Sequence, residues 1–457
     1  MKQTITKAAF FALLLSVSFL ANAQQKPRIF GREIHATPNP ENGLIRCVST
    51  EYEEYLSELE PQRKTAEFEQ WIGEKIQIER ARRQAAPSSE AIVITIPVVI
   101  HVIHDGDATG VSENIKEGQV LSQITVLNQD YRKMAGTPGF NSDAVGADVE
   151  IQFCLAKTAP DGTATNGIDR VNLGQASFNR SDVEQYLKPE TIWDPTRYFN
   201  IWVCRFGGDL DDVLGYAQFP AASGLSGLSA PFSANTDGVV IGYQYFGSQT
   251  LFSGGSYQAP YNRGRTATHE VGHALGLRHI WGDTNTCNSA NFGGDYCADT
   301  PIAQTANSSC PDGLDSCPQD GVDMTNNYMD YTNDFCMNIF TLDQKTRMRT
   351  VMQNSPRRAS LTTSTVCQPP LGTEQFEFLN GASLYPNPAQ DVLNIAFENG
   401  ELPDSFTIYN NLGQVMSSIK VIGSTNLTVN TSSYSSGMYF VKIDKGNQSK
   451  TLKFLKN

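Results

Sequence analysis

The side chains best placed to do chemistry are His269, Glu270, His273 and His279, held with Gly276 in the eleven-residue run His269-Glu270-Val271-Gly272-His273-Ala274-Leu275-Gly276-Leu277-Arg278-His279. Residues four apart on a helix sit one turn above each other, so His269 and His273 can grip one ion from a single rigid element. Glu270 is one step round, near enough to act on water as a base without taking a coordination position. Gly276 can adopt the left-handed conformation that ends a helix and turns the chain back, which makes His279 the third ligand. Three imidazoles leave a tetrahedral zinc one open position, the arrangement of a catalytic rather than a structural site.

The chain has only six histidines. His35 lies in the N-terminal segment. His101 and His104 fall in the apolar run Ile96-Pro97-Val98-Val99-Ile100-His101-Val102-Ile103-His104, which reads as a strand. Three apart on a strand places them on opposite faces, so structural roles are expected for both.

Downstream, Asn327-Tyr328-Met329-Asp330-Tyr331 offers a methionine for an apolar floor beneath the ligands and a phenol, Tyr331, for an oxyanion. A long histidine motif followed by a methionine turn resembles the metzincins. Within them the chain is similar to the pappalysin family over roughly residues 96–367. The likeness runs through Ile96 to Val102, Asn166-Gly167-Ile168-Asp169-Arg170, Gly238-Val239-Val240-Ile241, the histidine motif, Asp295-Tyr296-Cys297-Ala298-Asp299-Thr300-Pro301 and the methionine segment.

This resemblance implies an α+β fold, a metzincin-like catalytic domain of two subdomains with a twisted sheet and a zinc helix at their junction. It implies a secreted zinc endopeptidase with Glu270 and Tyr331 in catalysis. Asp334 matches an acidic position at the base of the S1′ pocket and would select Arg or Lys after the scissile bond. Asp295, by its side chain, and Cys297 and Thr300, by carbonyls, match a calcium loop. Cys47, in Arg46-Cys47-Val48-Ser49-Thr50-Glu51, matches a pro-segment thiolate that blocks the zinc. It is also the isolated one of nine cysteines, so an ordinary free thiol or an intermolecular disulfide stays open.

These residues need elements to hold them, and the composition supplies several modules. With 457 residues, about three domains are expected. Residues 1–23 carry Lys2 and Lys7, an apolar stretch from Ala8 to Leu20 and Ala21-Asn22-Ala23, a secretory signal too short to span a bilayer. Residues 24–87 read as a partly helical propeptide, with helical spacing around Thr50 to Arg83 and a basic linker from Arg80 to Pro87, where Arg82 or Arg83 is a self-cleavage site if Arg is preferred after the cut. Residues 88–372 form the catalytic domain. A net charge of −13 argues against nucleic-acid partners.

Export makes disulfides the default for Cys154, Cys204, Cys287, Cys297, Cys310, Cys317, Cys336 and Cys367, although eight cysteines allow 105 pairings. The resemblance suggests Cys287 with Cys317 and Cys310 with Cys336, leaving Cys154 with Cys204 and Cys297 with Cys367. From 373 to 457 short alternating runs such as Ser405 to Tyr409 and Met438 to Ile443 predict a small β-sandwich. Leu384-Tyr385-Pro386-Asn387-Pro388-Ala389, Asn411-Leu412-Gly413-Gln414 and Gly437 to Lys442 resemble the C-terminal sorting domains read by the type IX secretion machinery, which would take the protein through the periplasm to the surface or beyond. Peptide hydrolysis by a latent zymogen is the expected function. An astacin-like enzyme of other specificity and a non-catalytic, metal-stabilised surface adhesin are the alternatives, the second of which requires Glu270→Ala to change nothing.

Overall fold

The computed structural model describes residues 28–35, 38–85, 92–222, 234–287, 290–318, 321–370, 382–397, 402–423, 427–446 and 448–457. The signal at 1–23 lies outside them. Contacts divide the chain into two units, meeting at Pro369 and Pro370.

The first unit is built on a seven-stranded sheet. Its strands are β1 (Ile45–Cys47), β2 (Ile94–His104), β3 (Ile151–Leu155), β4 (Ile168–Asn172), β5 (Phe199–Cys204), β6 (Val213–Ala217) and β7 (Val239–Gly242), in the order β1-β6-β7-β5-β2-β3, with β4 also paired to β2. Only the β6–β7 pair is antiparallel. β2 is an almost unbroken apolar run because both its faces are covered, as parallel sheets require. His101 is buried within it, bonded to Asp169 at 2.8 Å and Asn200 at 2.9 Å and stacked on Trp202. Its role is structural.

Residues 49–85 form two helices rather than one, α1 (Ser49–Leu59) and α2 (Thr65–Ala85). Pro61 lies in the break between them, where its ring denies the helix a backbone donor. The basic stretch expected as a linker is part of α2 as far as Ala85, since Ala, Arg and Gln are all good helix formers. α3 (Glu117–Tyr131) and α5 (Leu342–Asn354) flank the histidine helix α4 (Arg265–Ala274). From α3, Tyr131 Oη donates to Thr268 O at 3.0 Å, and Asp130 accepts from Arg265 at 2.9 Å and from Thr268 at 2.7 Å.

Three disulfides join Cys154 to Cys367, Cys287 to Cys317 and Cys310 to Cys336. The first replaces two expected pairs. Cys154 stands opposite Pro97 on one edge of β2, whereas Cys204 follows Val203, which opposes Val102 on the other edge. Six residues of strand put them about 20 Å apart along the sheet, beyond the roughly 7 Å that a disulfide spans. Cys367 is therefore unavailable to Cys297, and Cys204, Cys297 and Cys47 are buried free thiols.

The second unit has a three-stranded sheet (Ala382–Tyr385, Val392–Phe397, Thr428–Asn430) and a four-stranded sheet (Val415–Lys420, Ser405–Asn410, Gly437–Lys445, Gln448–Lys456). Leu393, Ile395, Phe406, Ile408, Val441 and Ile443 alternate inward into one shared core, the arrangement of a sandwich. Among the described residues, no helix is long and apolar enough to cross a membrane.

Candidate metal centre and active site

α4 ends at Ala274, and Gly276 turns the chain back with φ at +93° while its amide donates to His273 O at 2.8 Å. A Cβ there would lie 2.8 Å from Val351 Cγ2, so the turn requires glycine both for conformation and for space. Arg358 donates to Ala274 O at 2.8 Å and Arg347 to Gly276 O at 2.5 Å, which satisfies carbonyls that the end of the helix exposes. The turn carries His279 back beneath the helix.

His269, His273 and His279 are buried, and their Nε2 atoms lie 3.0 to 3.2 Å from one another. Each Nδ1 donates to an acceptor, Tyr328 O at 2.7 Å, Leu277 O at 2.9 Å and Asp283 Oδ1 at 2.7 Å respectively. That fixes the tautomers and leaves three Nε2 lone pairs converging on one point. Ligands at zinc–nitrogen distances of 2.0 to 2.1 Å form a tetrahedron with edges of about 3.3 Å, so these nitrogens fit such an ion. Burial, then the neighbouring imidazoles, hold the pKa of His269 and His273 well below the ordinary value, which keeps them neutral and able to ligate. Burial pushes Asp283 up, but His279 and Thr50 outweigh it and hold the carboxyl at about 2.

Glu270 is fully buried, and burial raises its pKa to about 8. Its Oε2 accepts from Ser49 Oγ at 2.8 Å and from Cys47 Sγ at 3.4 Å. Oε1 has no hydrogen-bond partner among the described residues. Gly215 of β6 leaves room for it, since a Cβ there would stand 3.3 Å from Glu270 Cγ. Met329 is buried below α4, where a Cβ on Gly272 would meet its Sδ at 2.6 Å. The Tyr331 ring packs on His269 and His279, and its hydroxyl donates to Cys47 O at 3.0 Å. Trp281 stacks on His279 at 4.3 Å.

The N-terminal segment runs through this site. β1 pairs parallel to β6, with Cys47 opposite Gly215, and the Cys47 sulfur joins the three histidine nitrogens in a group whose ligand atoms lie within 4.8 Å of one another. Burial and then the Glu270 charge push the Cys47 thiol up. Arg46 enters a buried pocket, where Nη2 lies 2.9 Å from Asp334 Oδ1 and Nη1 donates to Thr332 O at 2.8 Å. Asp334 Oδ2 meanwhile accepts from the backbone of Arg263 at 2.8 Å and Arg265 at 3.2 Å, at the start of α4. One carboxylate thus caps the helix and holds a guanidinium.

Asp295, Cys297 and Thr300 do come together. Asp295 Oδ1 accepts from Cys297 N at 2.9 Å and Oδ2 from Thr300 Oγ1 at 2.5 Å, and burial pushes its carboxyl well up. Asp283, Ser49, Arg46 and Gly215 were missed by the sequence reading. Asp283 alone had a local signal, a carboxylate four residues after the last histidine.

Residues 182–353 match the peptidase family described as pregnancy-associated plasma protein-A, and residues 383–457 match the secretion system C-terminal sorting domain. An extracellular metalloprotease of Arthroderma benhamiae is 33% identical over 272 residues, 60% of this chain and 76% of that one. Mature mirolysin of Tannerella forsythia, solved with a cleaved peptide, is 39% identical with a TM-score of 0.52 over 61% of this chain and all of its own. A promirolysin mutant from the same organism is 35% identical with the same score, 0.52, over 69% of this chain and 97% of its own. The chain therefore belongs to the pappalysin family and is an exported metalloendopeptidase carrying a type IX sorting domain.

Proposed function

We propose that the protein is a zinc endopeptidase made as a zymogen, cutting before Arg or Lys. The observation that carries this reading is the convergence of three Nε2 atoms beside Glu270, with Arg46 seated on Asp334. His269, His273 and His279 would hold the zinc, which when bound polarises the scissile carbonyl and lowers the pKa of water to about 7.

Glu270 accepts the proton of the attacking water at Oε2 and returns it to the leaving amine. Departure of Ser49 and Cys47 frees Oε2 from the two bonds it accepts in the precursor and opens it to both transfers. Tyr331, whose hydroxyl burial keeps protonated, donates to the oxyanion in place of the Cys47 carbonyl. Met329 supports the ligands from below. In the precursor, Cys47 would be the residue to fill the ion's open position, while Ser49 ties down the base.

Arg46 is the stand-in for the substrate side chain after the cut, since a guanidinium fits a buried carboxylate better than any neutral group. Calcium belongs to the Asp295–Thr300 turn. Asp299 Oδ1 there is buried without a hydrogen-bond partner among the described residues, and a cation would return Asp295 to its ionised form. The test is mass-spectrometric mapping of cuts in a peptide library. Arg and Lys after the cut, lost with Glu270→Ala, support the reading; indiscriminate cutting removes the role of Asp334, and unchanged function with Glu270→Ala favours the adhesin.

A further inference from the structure

Two arginines beside the metal loop are not used by this chemistry. Arg347 is 1% exposed and Arg278 is 9% exposed. Both converge on Glu69 of α2. Arg347 Nη2 lies 2.7 Å from each carboxylate oxygen, and Arg278 Nε lies 3.0 Å from Oε1. Neither guanidinium owes its position to Glu69 alone. Arg347 Nε donates to Gly276 O and its guanidinium lies over Tyr296 at 5.4 Å. Arg278 stacks on Phe219 at 4.2 Å, and that ring meets His273 at 5.1 Å. All these partners lie outside α2, so the fork stays set when α2 is absent. Asp295, the other carboxylate whose charge acts on Arg347, already accepts from Cys297 and Thr300. Two positioned guanidiniums then lack a counter-charge and present their donors to a carboxylate that enters the fork.

We propose that Arg278 and Arg347 form a carboxylate-binding site whose ligand is Glu69, and that it retains the pro-segment as a bound inhibitor after the chain is cut beyond Ala85. The inference rests on the zymogen reading. Phe68, Ile72 and Ile76, spaced four apart on α2, pack with Ala222 and Val351, so a cut past the helix removes the covalent tether while leaving both the apolar stripe and the charged fork in place. Burial pushes the Glu69 carboxyl up, but Arg347 and Arg278 outweigh it and lower its pKa, so the ligand is an anion. This anchor is separate from Cys47 and is joined to it only through α1.

The test replaces Pro87 to Glu90 of the full precursor with a site-specific protease sequence. Retention after the cut is followed by gel filtration in a Glu270→Ala background, and activity is followed with Glu270 present. The wild-type segment should co-elute with the enzyme and keep it latent. E69Q should dissociate, and gain activity, about tenfold faster or more. Glu67→Gln, on the same helix but paired with Lys64 at the surface, should behave as wild type, which separates the fork from general helix packing. Equal release with and without E69Q, or immediate loss of the wild-type segment on cutting, overturns the site. An uncut precursor already as active as processed enzyme sinks the zymogen reading instead, and elution in the inactive background still decides the fork.

Discussion

Each imidazole of the metal centre donates through Nδ1 to a group that accepts, and the only ionisable one among these acceptors is Asp283. Asp283→Ala should therefore lower zinc affinity by about 10- to 100-fold, measured by competition with a chelator, while the other two ligands stay oriented by backbone carbonyls. Glu270→Gln should cost about 10²- to 10⁴-fold in kcat with zinc content unchanged, because the amide fills the same space but moves no proton. Asp330 gives a pH signature. Burial outweighs its bonds from Asn307 and Tyr331 and raises its pKa to about 7. An acid whose folded pKa exceeds its unfolded value near 3.9 binds more protons when folded, so its contribution falls as pH rises from about 4 to 7. Asp330→Asn, with the Asn307 amide free to turn, should flatten the pH dependence of Tm across that window.

The histidine helix is only ten residues long, too short to be stable by itself. Neighbouring elements hold both its ends. Asp334 and Asp130 hold the start, and Arg358 and Arg347 meet the carbonyls at and beyond the finish. Gly276→Ala sets a side chain at φ +93° against Val351, so it should lower Tm and loosen zinc together, read by calorimetry and metal analysis. Between His279 and Met329 the chain has little core of its own, and two disulfides close loops of 30 and 26 residues there. Loss of the first, by Cys287→Ser with Cys317→Ser, should cost about 3.6 kcal/mol in denaturant unfolding, since an open loop of that length regains its closure entropy.

At the scale of the whole molecule, the segment before α1 supplies an edge strand to the large sheet, a thiol to the metal centre and an arginine to Asp334. The strand carries the thiol and the guanidinium as adjacent residues, so the two blocks are set by one register. Cys47→Ala precursor should show peptidase activity before processing, measured on a peptide with Arg after the cut, and should still hold Arg46 in place. The sorting domain has its own core, so its removal should leave the catalytic unit folded while abolishing export.

The chemistry was legible because it is local. Four functional side chains and a helix-ending glycine within eleven residues dictate their own geometry through the pitch of one helix, and the sorting sandwich announced itself by alternation over short strands. The expectation failed where distant segments meet. Cys154 finds Cys367 rather than Cys204 because β2 lies between Cys154 and Cys204, and no spacing along the chain encodes that. The helical course of the basic stretch, the double duty of Asp334, the hold of Ser49 on Glu270 and the convergence of Arg278 and Arg347 on Glu69 were likewise decided by tertiary packing. A side chain's residue type fixes what it can bond, but only the folded neighbourhood fixes which partner, and at what cost of desolvation, it meets.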